Sequence, residues 1–345
     1  MFHFSQLKLP IIQAPMAGGI NTPSLAAAVA NAGGVGSFGF AYSHPQKISE
    51  DLIATKALTD GPINANFFIF QPVALPSELI QEQAIAALKN LPGSGKYVVK
   101  MPEAPFFPKL EEQLEPIWQH RPAILTFHFG IPPLSVISKA HELGIVVGVT
   151  ATSLGEAAAI HDAGADFIVA QGVEAGGHRG IFEPGTHDGL LSTLDLIQVL
   201  KPICKLPLVA AGGLMQGQDI KKVLESGAVA AQLGTAFLCC DEAGTSAQHR
   251  HYLLHEQQRG TMFTQAFSGR LARGIKNQFM ELMEGETTLP FPLQNTLTTP
   301  LRQFAVSNQD GEYQSLWSGS EFSKIRPISA LELMMALKEE LSSLA

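Results

Sequence analysis

The stretches LPLVAAGGL (Leu206–Leu214) and GAVAAQLGTAFL (Gly227–Leu238) decide the fold. Each holds an apolar run, Leu208–Ala211 and Val229–Leu233, that is too short for a helix. Neither run alternates apolar with polar residues, so each reads as a strand buried on both faces, the habit of a parallel sheet. Six similar runs lie upstream: Pro10–Met16, Gly34–Phe38, Ile63–Phe68, Ala123–Phe127, Ile145–Thr150 and Phe167–Ala170. Segments with helical spacing separate most of them. Pro23–Ala32 follows two possible caps, Asn21 and Thr22, and Pro133–Leu143, Leu154–Ala163, Leu190–Leu200 and Gln218–Ser226 read likewise. Eight strand-helix units fit a closed barrel or a doubly wound open sheet. The count of eight and the regular pitch from Ala123 onward favour an α/β fold of the (β/α)8 TIM barrel type.

Two regions break the repeat. Residues 71–121, with their own apolar run Tyr97–Met101, are expected to form a helical insertion after strand three. Residues 241–345 are expected to be a mostly helical C-terminal segment that completes the active-site region. An irregular stretch is expected at Thr287–Pro300 and a last helix at Ala330–Leu344. The barrel itself is expected to span 1–70 and 122–240. With 23 Lys+Arg against 31 Asp+Glu and no basic cluster, the chain has a net charge of -8, which excludes a general nucleic-acid surface. No apolar run approaches the roughly 20 residues of a membrane span. The opening MFHFSQLKLP lacks the features of a secretory signal, so a cytoplasmic protein is expected. Cys204, Cys239 and Cys240 are too few for a disulfide scaffold and read as structural thiols.

In a barrel, chemistry sits where strands end and βα loops begin. Gly212-Gly213 after strand seven would let backbone amides approach a ligand, and Gly234-Thr235 after strand eight could open a short helix. Together they match the phosphate site made by the last two loops of such barrels. The loop Glu174–Gly180 adds three glycines, His178 and Arg179 nearby. His178 could act on a substrate or simply bond a loop carbonyl. His128, at the end of strand four, could face the substrate or pack under a cofactor. Other signals weigh less. Gly34–Gly39 matches a dinucleotide fingerprint but follows a helix. Gly93-Ser94-Gly95-Lys96 lacks the phosphate-loop spacing. His249, His251 and His255 read as a solvated helix face with no metal.

QAPMAGG (Gln13–Gly19), NANF (Asn64–Phe67), QGVEAGGHRG (Gln171–Gly180), the two opening stretches and SGRLARGIKNQF (Ser268–Phe279) together resemble the FMN-dependent nitronate monooxygenases of class I, formerly called 2-nitropropane dioxygenases. The resemblance implies one non-covalent FMN at the barrel mouth. Its contacts would be Asn66, Gln171, Gly176, Gly177, Gly212, Gly213, Gln232, Leu233, Gly234 and Thr235. Ala14, Pro15, Met16 and Ala17 would lie against the isoalloxazine. His178 would be the active-site histidine, with His128 near the substrate. The implied reaction takes an alkyl nitronate, with propionate 3-nitronate the expected substrate, and dioxygen through a flavin semiquinone to a carbonyl compound and nitrite. FMN-dependent enoyl-acyl-carrier-protein reductases share the EAGGH and phosphate loops, so a reductase of enoyl thioesters or quinones fed by NAD(P)H is the alternative. A non-catalytic flavin-binding protein would have no need for His178 on that loop. Trp317-Ser318-Gly319-Ser320 departs from the family's Trp-Ala-Gly-Gln-Gly. Arg179, Arg270 and Lys276 are candidates for a substrate carboxylate, and monomer and homodimer both stay open.

Overall fold

All eight apolar runs become strands of one parallel sheet. They are β1 (Ile11–Gln13), β2 (Gly36–Gly39), β3 (Ile63–Phe68), β4 (Ile124–His128), β5 (Val146–Ala151), β6 (Phe167–Gln171), β8 (Leu208–Ala211) and β9 (Ala230–Leu233). The computed structural model describes residues 1–343. Strand order is β1-β9-β8-β6-β5-β4-β3-β2. A bridge between Ile12 and Val35 closes the ring, with Gln13 N–H donating to Val35 O at 2.9 Å and Val35 N–H to Ile11 O at 3.0 Å. The fold is the expected TIM barrel.

Helices run between the strands, and their starts follow their caps. Thr22 Oγ1 accepts from Leu25 N–H at 3.1 Å, with Pro23 opening the helix Pro23–Asn31. The helix expected from Leu190 begins instead at Thr193, because Ser192 Oγ accepts from Asp195 N–H at 3.1 Å. Leu190 itself lies in the loop at φ 48°.

Side chains alternate across each strand, so every second residue points into the barrel. At the N-terminal end the inward set is apolar: Val35, Ile124, Val146, Phe167, Val209 and Ala230 pack in one cluster. One layer up the interior turns polar. Asn64 Nδ2 donates to Ser37 Oγ at 3.3 Å, Thr126 Oγ1 donates to Asn64 Oδ1 at 2.9 Å, and Asn66 Nδ2 donates to Thr126 Oγ1 at 2.9 Å. The C-terminal ends carry Asn66, His128, Gln171 and Gln232 on the same inward phase. The strand sequence therefore builds a dry floor and a polar mouth.

The insertion holds two helices, Glu78–Lys89 and Leu110–His120. The second belongs to the helical ring, since Gln113 Nε2 donates to Phe40 O at 3.0 Å and Ser43 O at 2.9 Å. Residues 97–101 form no strand. The C-terminal segment is largely helical but also contributes a hairpin, β10 (Thr261–Thr264) and β11 (Ala272–Ile275). β11 pairs with the two-residue β7 (Gly177–His178), placing Ala272 opposite His178. The stretch expected to be irregular contains the helix Leu293–Leu297 and the start of Thr299–Ser307. Gln294 organises it, accepting from Leu289 N–H at 2.9 Å and donating to Ala266 O at 2.8 Å. The last helix is Ala330–Ser343; Leu344, its expected end, lies outside the described residues.

All three cysteines are free, and burial pushes the Cys239 thiol up to about 11 and the Cys240 thiol up to about 12. That suits inert structural thiols. Among the described residues no helix is long and apolar enough to cross a membrane.

The polar layer is testable. Thr126→Val keeps the shape but strands Asn64 Oδ1 and Asn66 Nδ2. Denaturant unfolding should give a loss of about 1–3 kcal/mol, whereas unchanged stability would mean the Asn-Thr-Asn chain contributes nothing.

Candidate active site

The loop after β6 is held by a clamp. Gln171 Nε2 donates to His178 O at 3.0 Å, and its Oε1 accepts from Gly180 N–H at 2.7 Å. Arg179, 2% exposed, donates to both oxygens of Asp188 at 2.8 and 3.1 Å and sends Nη1 to Gln171 O. Arg179 is therefore consumed in shaping the loop and does not face a substrate carboxylate. Gly176 packs where no side chain fits, since a Cβ there would fall 2.4 Å from the Ser318 carbonyl carbon.

This clamp and the β7–β11 pairing seat His178. Its Nε2 lies 2.9 Å from Ser268 Oγ, and that hydroxyl donates to Arg270 O at 3.1 Å. With the serine proton committed, we assign the Nε2–H tautomer, which leaves the Nδ1 lone pair open. Rings of Phe68, Phe129, Phe291 and Trp317 stand 6.0, 5.6, 5.8 and 5.6 Å from the imidazole. Burial pushes the His178 pKa down to about 3, and His128, Arg270 and Arg302 push the same way. His128 donates from Nε2 to His178 O at 3.2 Å, and burial with Arg270 holds it at about 3 as well. Both histidines are neutral at pH 7. Phe129, beside His128, sits at φ 74°, an uncommon conformation for a bulky residue, and Arg270 stacks on its ring at 3.8 Å.

The glycines after β8 and β9 converge on the same mouth. Gly212 and Gly213 take φ 127° and 69°, and a Cβ on Gly212 would meet Thr193 Oγ1 at 2.7 Å. Gly234 precedes a one-turn helix, Thr235–Phe237. Among the described residues the amides of Gly213, Gly234 and Thr235 donate no hydrogen bond. Such uncommitted donors, with no Cβ in the way, fit a phosphate group. Thr235 Oγ1 accepts from Gly319 N–H at 2.9 Å, which leaves the hydroxyl proton to donate. The divergent segment thus lies on this cradle, and Ser320 N–H donates to Glu174 O at 3.0 Å.

Ala14, Pro15, Met16 and Ala17 line the next wall. Ala14 N–H donates to Leu233 O at 2.7 Å, Asn21 Oδ1 accepts from Met16 N–H, and a Cβ on Gly234 would lie 3.3 Å from Ala14 Cβ. Asn66 keeps its Oδ1 free, and Gln232 keeps its whole side-chain amide free, among the described residues. Size does not locate this site. A larger cavity, about 620 Å³, lies at the opposite barrel end by Phe2, Lys8 and Arg121, away from every group above. A cavity of about 170 Å³ adjoins Gly212, Gly213 and Glu174.

Several expectations change. Arg270 donates to Ile181 O and Phe182 O, so it braces the loop, and Lys276 is exposed. His249 is not on a solvated face. It is buried, and burial lowers its pKa to about 4, while His251 and His255 are exposed. No group of three metal-binding side chains occurs among the described residues. Residues that motif reading missed are the stacked Phe70, Phe107 and Phe291, with Phe70 centroids 4.6 and 5.6 Å from the other two, and Arg302. One signal existed: Arg302 is the lone charged residue between Glu286 and Asp310.

Comparison with known proteins agrees with this geometry. The profile of a family described as nitronate monooxygenase matches residues 2–340. The chain is 40% identical to a nitronate monooxygenase of Paraburkholderia phytofirmans, covering 96% of this chain and 92% of that one. It is 38% identical to a nitronate monooxygenase of Pseudomonas aeruginosa, covering 97% of each. A crystal structure of nitroalkane oxidase from Streptomyces ansochromogenes superposes with a TM-score of 0.93 at 34% identity, covering 98% of this chain and 97% of that one.

The clamp carries a pH signature. Burial works to raise the Asp188 pKa, but the hydrogen bonds and charge of Arg179 hold it below the usual carboxylate value. Its contribution is present above the unfolded pKa of about 3.9 and is lost as pH falls through the depressed folded value. Asp188→Ala should cost about 3–5 kcal/mol at pH 7 by leaving Arg179 unpaired. Wild-type stability at neutral pH would contradict the clamp.

Proposed function

The chain belongs to the nitronate monooxygenase family, and from that premise we propose that FMN is its flavin and propionate 3-nitronate, a nitronate carrying a carboxylate, its substrate. The observation that carries this reading is the meeting of a phosphate-sized donor cradle and a neutral, oriented histidine at one apolar barrel mouth. The amides of Gly213, Gly234 and Thr235, with the Thr235 hydroxyl, would hold the phosphate. Ala14–Ala17 would line the ring system, and Asn66 and Gln232 would offer it their free amide groups. When bound, FMN supplies the electron transfer that lets dioxygen convert a nitronate to a carbonyl compound and nitrite.

The protein's own part is orientation, exclusion of water and proton handling. Phe68, Phe129, Phe291 and Trp317 keep the space around His178 apolar. With its pKa at about 3, His178 carries no charge at pH 7 and offers the Nδ1 lone pair. It can take a proton from a neutral nitroalkane, but it does not attract an anion as an imidazolium. A base this weak favours a substrate that arrives already as the nitronate. Family membership also favours this oxidation over a reductase fed by NAD(P)H.

Oxygen uptake by the yellow holoenzyme on adding propionate 3-nitronate, without pyridine nucleotide, tests the function. Rapid uptake with nitrite release is expected. Absence of uptake by flavin-replete protein, with NAD(P)H oxidation on an enoyl thioester or quinone, would overturn it. His178→Asn should lower the rate on a neutral nitroalkane by about 100-fold or more and spare the preformed nitronate. Equal losses on both would remove the base role.

A further inference from the structure

Arg302 lies on the helix Thr299–Ser307, within a wall that is otherwise uncharged from 287 to 309. Its Nε donates to Thr298 Oγ1 at 3.3 Å. Its Nη2 donates to Asn295 O at 2.7 Å, Asn295 Oδ1 at 2.9 Å and Thr299 Oγ1 at 3.1 Å. Every one of these acceptors is neutral. They fix the guanidinium along one edge, while Nη1 donates to nothing among the described residues. Thr298 is itself anchored to Phe267 O at 2.6 Å, so the grip is rigid.

Three other arginines pair with carboxylates, whereas Arg250 and Arg273, like Arg302, donate only to neutral oxygens. Arg179 pairs with Asp188, Arg259 with Glu256 and Glu312, and Arg326 with Glu340. Arg270 donates from Nη2 alone, to the loop carbonyls of Ile181 and Phe182, and its Nε is buried without a partner while the guanidinium stacks on Phe129. Arg302 has no carboxylate partner, and geometry ties it to the mouth. Thr298, which it holds, donates to Phe267 O, and the Phe267 ring packs 5.5 Å from Trp317. Trp317 stands 5.6 Å from the His178 ring, whose protonation Arg302 opposes. It is half-buried by surface area, yet desolvated enough that burial lowers its pKa. A guanidinium stays protonated at neutral pH. A desolvated, pre-oriented cation without a counter-ion is costly unless a ligand supplies the anion.

The surroundings specify that ligand's body. Phe70 stacks between Phe107 and Phe291, with Tyr42 6.1 Å from Phe70, and Phe291 reaches within 5.8 Å of the His178 ring. A short apolar chain fits such walls. We propose that Arg302 is the specificity-determining residue that binds the carboxylate of the substrate, so that the enzyme selects nitronates carrying a carboxylate at the end opposite the nitronate group. This rests on the function proposed above and deepens it. The guanidinium supplies the positive charge that neutral His178 lacks, and its free Nη1 edge takes a carboxylate oxygen.

The test compares propionate 3-nitronate with propane 1-nitronate, which has the same chain length but no carboxylate. For Arg302→Met the ratio of kcat/KM between the two should fall by about 30-fold or more, mostly through the KM of the carboxylated substrate. Arg302→Lys should recover part of that ratio. A ratio that does not change in Arg302→Met overturns the proposal, even if both activities drop. A second readout needs no turnover: butyrate titrated into the holoenzyme should perturb the flavin spectrum of wild type and not of Arg302→Met. Equal butyrate affinity in both proteins overturns the carboxylate site. If wild type oxidises neither nitronate, the function fails, while the butyrate titration still decides the role of Arg302.

Discussion

The buried ion pair between Arg179 and Asp188 is the constraint on which the mouth depends. It ties the glycine-rich loop to the segment that leads into the next helix, and through Gln171 it ties that loop to the end of β6. Without it, Gly176 and Gly177 would leave His178 on a long flexible excursion. With it, two residues become a strand that a hairpin nearly a hundred residues later can pair with. Ser268 and Arg270 on the turn of that hairpin then set the tautomer of His178 and brace Phe129. Removing the pair should therefore be felt at the histidine as well as in stability.

The same arrangement settles the electrostatics of the site. The protein as a whole is acidic, at -8, yet the ionisable groups that act on His178 are a second imidazole and two guanidiniums. They oppose protonation, and the aromatic walls remove the water that would support a charge. The histidine is left neutral, and positive potential resides on arginines that cannot lose it. Fixed positive charge thus stands at the mouth beside a neutral imidazole whose Nδ1 lone pair is open. This separation of charge from the imidazole follows from burial, not from residue type.

Much of this was legible in the chain. The eight strands could be read because a strand buried on both faces is a contiguous apolar run, and none of the eight needed its neighbours to be seen. The glycines at 212, 213 and 234 could be read because they follow such runs at the end where barrels bind ligands. The hairpin β10–β11 could not, since half of its pairing is with residues 177 and 178, and nothing local marks that partner. The helix start at Thr193 instead of Leu190 was set by the Ser192 cap, which apolar spacing alone does not reveal. Arg179 and Arg270 resembled substrate ligands because a sequence shows their charge but not Asp188, which pairs with the first, or the loop carbonyls and the Phe129 ring that hold the second. Arg302 was passed over for the converse reason: its partners are all neutral and its Nη1 is uncommitted among the described residues, properties that only the folded neighbourhood defines.

The account turns on His178 being neutral and oriented. Imidazole proton and nitrogen shifts of the holoenzyme, followed by NMR from pH 4.5 to 8.5 and assigned against His178→Gln, measure this directly. The expected result is an Nε2–H signal for His178 that does not titrate across that range. A titration midpoint near the ordinary histidine value of about 6.5 would contradict the account, because the charge at the mouth would then belong to the histidine.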